Sequence, residues 1–304
     1  MRIYTHTECL AHRVPEGHPE RPARLSHLLN HLDDLGLTQD HPLHTAPTID
    51  NAVVNAAHHA AYLAGLEQQQ PDEAIIGLDP DTWMGPKSLN AARYAAGAVW
   101  QGVQDVVTGR EQRVFCAVRP PGHHAELGTA MGFCLLNSVA IAAINALTLP
   151  DIHRVAILDF DVHHGNGTVD LCKDIPAILV CSSFQHPFYP DRLHDVRRHN
   201  IVNTPLPSGT DGDGFRGAID RHWWPALEAH EPDLILISAG FDAHRDDPLA
   251  QLQLEEADFS WITREIVDRA QGSAQGRIVS ALEGGYDLDA LARSVTVHLT
   301  ALAQ

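Results

Sequence analysis

The chain has 304 residues, of which 44% are hydrophobic, and carries a formal net charge of −18 with a pI near 5.5. Such a chain can bury a large core in one or two domains, and its acidity argues against a nucleic-acid binder, which needs a basic face for phosphates. The same negative field is compatible with a cationic substrate, and equally with simple solubility.

In chain order, residues 7–24 are rich in His, Pro and Arg and are expected to be a long loop. Leu25, Leu28, Leu29 and Leu32 then share one helical face, as do Leu89, Ala92, Ala96, Val99 and Val103. Short apolar runs follow at 114–118, 155–160, 177–183, 234–240 and 278–284. They are too short for isolated helices, rich in β-branched residues and continuous rather than alternating, which predicts strands covered on both faces. Residues 184–213 resemble 7–24 in composition and are expected to be a second long loop. Leu288, Leu291, Ala292, Val295, Leu299 and Leu302 make a last helical face. Strands alternating with helices predict an α/β fold, a parallel β-sheet flanked by helices. No repeat or long Gly/Ser linker divides the chain, and one domain over 1–304 is expected.

Cys9, Cys116, Cys134, Cys172 and Cys181 form no CxxC pair and mostly sit in apolar runs, as free thiols in a reducing compartment do. The N-terminal stretch lacks the apolar core of a signal peptide, and no run is long enough to span a membrane. A cytoplasmic protein is expected, with neither membrane nor nucleic acid as partner.

Four apolar runs lead into dense polar motifs: RPPGHHAE with His123 and His124; DVHHGNG with Asp161, His163, His164 and Asn166, just after Asp159; FDAHRDDP with Asp242 and His244; and GYDLD with Tyr286. Ligands bind at the carboxyl ends of strands in open parallel sheets, so four such clusters point to one site. Asp161 and His163 are two residues apart and would project to the same side if strand geometry persists. With Asp242 they offer one nitrogen and two carboxylate oxygens, a set that suits Zn²⁺ and leaves a position for water and substrate. The competing reading makes Asp161 and His163 caps of a helix beginning near 166. His123 and His124, on a stiff Pro-Pro-Gly turn, could take a proton from water and return it to a leaving amine. Asp159 and Asn166 could orient those imidazoles. Tyr286 could donate to a developing oxyanion. Phe133, Phe188 and Tyr189 are either walls for an aliphatic chain or ordinary core aromatics.

Taken together, RPPGHHAE with GFCLLNSVAIAA, DFDVHHGNGT, SAGFDAHRDDPLA, LEGGYDL and HPERPARL resemble the zinc-dependent histone deacetylase and acetylpolyamine amidohydrolase superfamily over nearly the whole chain. The resemblance implies a single α/β domain similar to arginase, and a hydrolase that releases acetate from an acetylated lysine peptide or a small acetylated amine. It implies zinc on Asp161, His163 and Asp242; His124 as general base and acid beside His123; Asp159 orienting His123; and Tyr286 polarising the acetyl carbonyl. Phe133 would form one tunnel wall, and Tyr189, or Phe188, the other. A structural K⁺ is implied at Asp159, Asp161, His163 and Ser182, and a homo-oligomer is compatible with the family.

Asn166 stands where one branch has aspartate, which points to the class II-like branch. Residues 190–200 lack the Gly-Thr-Gly usual after the aromatic pair, and Leu249 stands where the polyamine-selective eukaryotic branch has a glutamate. A binuclear manganese hydrolase would need more carboxylates than these motifs offer. A silent acyl-ligand binding module would not need the full set of histidines, ligands and tyrosine.

Overall fold

Strands dominate the centre of the computed structural model, which describes all 304 residues. They are β1 (Arg2–Thr5), β2 (Leu43–Thr45), β3 (Ile76–Gly77), β4 (Trp83–Met84), β5 (Arg113–Cys116), β6 (Val155–Asp159), β7 (Ile178–Gln185), β8 (Ile201–Leu206), β9 (Leu234–Ala239) and β10 (Ile278–Leu282). Eight of them form one sheet in the order β2-β1-β5-β10-β9-β6-β7-β8, while β3 and β4 pair separately. Every pairing in the large sheet is parallel. Each residue of β5, β6, β7, β9 and β10 is buried, as continuous apolar runs require of strands covered on both faces.

The helices are α1 (Glu8–Ala11), α2 (Ala23–Asp34), α3 (Leu37–Asp40), α4 (Asn51–Asn55), α5 (Ala60–Gln69), α6 (Ser88–Val107), α7 (Ser138–Ala146), α8 (Asn166–Cys172), α9 (Gly212–His230), α10 (Glu256–Ala270) and α11 (Leu288–Leu302). Leu25, Leu28 and Leu32 of α2 are buried, and Leu29 is half-buried at the edge of that stripe. In α6 and α11 the apolar face is likewise turned inward. α6 packs on β5 and β10, α7 on β6 and β9, and α9 on β7 and β8. One contiguous cluster of 78 buried apolar residues runs through these layers.

Two loop expectations are corrected. Within 7–24, α1 forms a single turn that buries Cys9. Within 184–213, β7 continues to Gln185 and Ile201–Leu206 pairs with it as β8. β8 is an edge strand with exposed or half-buried Val202, Asn203 and Pro205, so its polar composition hides the strand from an apolar-run criterion.

Candidate active site

The strands that carry the four polar motifs, β5, β10, β9 and β6, are adjacent in the middle of the sheet. Their carboxyl ends therefore deliver the histidine pair, the Glu-Gly-Gly-Tyr turn, Asp242, and Asp161 with His163 to one place.

β6 ends at Asp159, so strand alternation does not align Asp161 with His163 as expected. Two successive turns do so instead. Asp159 Oδ1 accepts from the Asp161 amide at 3.1 Å, and Asp161 Oδ1 accepts from the His163 amide at 2.9 Å. Asp242 Oδ1 accepts from the Val162 amide at 2.9 Å, which brings its other oxygen to the same point. Neither Asp161 nor His163 caps α8: Gly165 holds the N-cap position, with no side-chain bond there. Glycine is required alongside. A Cβ on Gly240 would meet Asp161 Oδ2 at 2.0 Å, and one on Gly284 would meet Asp242 Oδ2 at 2.0 Å.

His163 Nδ1 lies 3.1 Å from Asp161 Oδ1 and 3.1 Å from Asp242 Oδ2. Those spacings approach the roughly 3.3 Å edge of a tetrahedron built on zinc–ligand bonds of about 2.0–2.1 Å. Both carboxylates are completely buried, and no Lys or Arg pairs with either. Burial alone would lower the pKa of His163, yet its contacts with Asp161 and Asp242 raise it to about 10. Asp242 is pushed up by burial and by the charge of Asp161. The cluster thus calls for positive charge at the point where the three donors meet, and the donor set fits a divalent zinc ion.

His123 and His124 pack with ring centroids 4.0 Å apart. His123 Nδ1 is 3.0 Å from Asp159 Oδ2, and His124 Nδ1 is 2.6 Å from Asn166 Oδ1. Asn166 Nδ2 donates to Glu126 Oε1 at 2.8 Å, so the carboxamide oxygen faces His124. His124 then carries its proton on Nδ1 and leaves Nε2 as an acceptor. Burial, with repulsion from His123 and His163, holds His124 well below the ordinary histidine range. His123 moves the opposite way: the carboxylates of Asp161 and Asp159 outweigh its burial and keep it charged. Burial raises Asp159 to about 6 against the pull of His123.

A cavity of about 220 Å³ opens above these groups, lined by Asp81, His124, Gly132, Phe133, His163, Phe188, Tyr189, Leu249 and Tyr286. All the expected tunnel residues therefore meet in one space. Phe188 lies nearly parallel to the His163 ring at 5.4 Å, and Tyr189 stands edge-on to His124 at 5.4 Å. Phe133 meets Tyr286 edge-on at 5.7 Å. The Tyr286 hydroxyl is bonded to no protein acceptor, and burial keeps it protonated far above its usual range. Ser182 sits opposite Asp159 in the β6–β7 register and accepts from the Gly165 amide at 3.3 Å, which gathers the expected potassium residues at one strand end.

Several supporting residues lie inside the quoted motifs but carry no role in the sequence reading. Glu283 accepts from the amides of Gly122 and His123, fastening the histidine turn to β10; burial raises it to about 7. Asp247 accepts from the Tyr286 amide at 2.7 Å and from the Leu249 amide at 3.0 Å. Arg24 donates to the carbonyls of Glu283 and Gly285, and its guanidinium lies 4.8 Å from the Tyr286 ring centroid. Glu20 joins Arg24 to Arg119 beneath them. The available signal was charge placed among residues that must be buried, since such groups persist only when paired.

Residues 18–302 match the family model described as "Histone deacetylase domain". An uncharacterized protein of Synechocystis, slr0245, is 42% identical over 99% of this chain and 98% of its own length. The histone deacetylase-like amidohydrolase of Pseudomonas aeruginosa is 36% identical over 89% of this chain and 73% of its own. The crystal structure of the HDA15 HD domain superposes with a TM-score of 0.92 at 31% identity, covering 100% of this chain and 91% of that one.

Proposed function

The chain belongs to the histone deacetylase family of deacetylases and amidohydrolases, and on that premise we propose that it is a zinc-dependent hydrolase of acetyl-amides, acting on N-acetyl-lysine. The observation that carries this reading is the geometry of the buried pair: His124 Nδ1 held by Asn166 beside His123 Nδ1 held by Asp159, with His124 lining an aromatic cavity.

Zinc held by Asp161, His163 and Asp242 supplies Lewis acidity toward the acetyl carbonyl and lowers the pKa of water there. The chain's own groups do the rest. Phe133, Phe188 and Tyr189 line an apolar passage for the lysine methylenes. The Tyr286 phenol donates a hydrogen bond to the carbonyl oxygen as negative charge develops on it. His124 Nε2 takes the proton of the attacking water, with Asn166 fixing the ring. His123, held by Asp159, sits beside it as the electrostatic partner of the addition step. His124 then passes its proton to the departing amine, so acetate and a free amine leave. The two histidines thus take different roles, set by two different partners. A structural K⁺ near Asp159 and Ser182 and a cytoplasmic setting belong to the same reading.

A small acetylated amine is the second reading. Asp81, which lines the cavity, offers a carboxylate to a cationic tail, while Leu249 adds an apolar side chain to the same lining. Acetate release measured in parallel on an acetyl-lysine peptide and on acetylated polyamines, with and without a chelator, separates the two. Chelator-sensitive release mainly from the peptide supports the first reading, and preference for the polyamine replaces it with the second.

A further inference from the structure

On either side of Phe188 and Tyr189 in the chain, His186, Asp191 and His194 bring a nitrogen, a carboxylate oxygen and a second nitrogen within 4.8 Å of one another. The two imidazoles face each other at 4.5 Å between centroids, and His194 Nδ1 is 3.7 Å from Asp191 Oδ1. Neither ring makes a hydrogen bond to another protein group, and His194 Nδ1 is buried with no hydrogen-bond partner. A buried ring nitrogen left unpaired is costly unless something outside the chain engages it.

The backbone around the cluster is held in place. The His186 amide donates to Leu206 O at 2.8 Å, and Asn203 Nδ2 donates to the carbonyls of His194 and Leu193. Asp191 and Leu193 adopt left-handed φ values of 51° and 57°, an arrangement non-glycine residues keep only when the surroundings enforce it. Arg192 pairs with Glu126, and Arg198 with Asp174.

We infer that His186, Asp191 and His194 form a second metal site, distinct from the Asp161–His163–Asp242 cluster, for a divalent transition ion of the zinc type. Two imidazoles and one carboxylate suit Zn²⁺ or Co²⁺; Ca²⁺ and Mg²⁺ prefer all-oxygen ligands. The ion fastens the segment that carries Phe188 and Tyr189, so its occupancy sets how firmly the cavity rim is held. Asp191 and His194 lie in the stretch that departs from the Gly-Thr-Gly pattern of the family it resembles, and His186 just before it.

The test counts metal on the full chain. Protein stripped with a chelator is dialysed against micromolar zinc, and bound zinc is measured for wild type, Asp191→Asn, His194→Ala, Asp242→Ala and the double variant Asp242→Ala/His194→Ala. One equivalent should be lost in His194→Ala yet retained in Asp242→Ala, and the double variant should bind neither. Asp191→Asn should weaken that equivalent by at least the roughly tenfold contributed even by a residue outside the ligand set. Asp191 is mostly exposed, so its variant should fold normally, and unfolding midpoints verify this. Zinc content in His194→Ala and Asp191→Asn identical to wild type overturns the inference. Loss confined to Asp242→Ala does so too, and reports on the other centre alone.

Discussion

Asn166 presents its carboxamide oxygen to His124 Nδ1 at 2.6 Å while its nitrogen donates to Glu126 at 2.8 Å. The orientation of one amide thus fixes the tautomer of the buried imidazole. Replacing Asn166 with alanine should lower kcat by about 10–100-fold with zinc content unchanged, the scale on which orienting partners act. His124→Ala should cost more, about 10²–10⁴-fold. Steady-state kinetics with metal analysis decides both, and equal rates in wild type and Asn166→Ala would remove the orienting role.

Tyr286 lines the cavity with a hydroxyl that no protein acceptor uses. Tyr286→Phe should lower kcat by about 10²–10³-fold while KM and zinc content stay near wild type, because the lost hydrogen bond matters mainly as charge develops on the carbonyl oxygen. Full turnover in that variant would refute the assignment.

Glu20 is completely buried between Arg119 and Arg24, with His12 at 3.2 Å. Burial disfavours its charge, but Arg119 and its other partners hold it well below the usual carboxylate range. Glu20→Ala leaves two guanidinium groups buried without their carboxylate, and denaturant unfolding should show a loss of about 3–5 kcal/mol. Arg24 also holds the Glu283 and Gly285 carbonyls, so the variant should lose turnover as the Tyr286 turn loosens.

His58 predicts an acid limb of stability. Its Nδ1 bonds the Glu126 carbonyl at 3.0 Å and its Nε2 accepts from the Asn137 amide at 3.0 Å, an arrangement available only to the neutral ring. Burial lowers its pKa to about 4. The unfolded chain therefore takes up the proton first. Stability from this group is complete above about pH 6.5 and falls as pH drops toward 4, by about 3 kcal/mol in all. Unfolding measured across that window should lose this slope in His58→Gln, and an unchanged slope would assign the acid limb elsewhere.

Much of this architecture is readable in the residues themselves. Runs such as VAILDF and LILISAG announce buried parallel strands by apolar continuity, and the polar motifs that follow them mark the strand ends where ligands bind. The order β5-β10-β9-β6 is not readable, because strand neighbours are chosen by long-range packing. The alignment of Asp161 with His163 was expected from strand alternation and is achieved by carboxylate-to-amide turns beyond the strand. The polar edge strand β8 gave no apolar run. Arg24, Glu20 and Glu283 sit in the quoted motifs, but charge alone does not reveal which partner a buried group will meet.

Acetate release from an acetyl-lysine peptide, by protein stripped of metal and then given zinc back, tests the proposed activity most directly. Stripped protein should release none, zinc should restore release in full, and Asp242→Ala should not recover. Release that is indifferent to the chelator, or zinc-loaded protein that releases acetate from neither the peptide nor any acetylated amine, would contradict it.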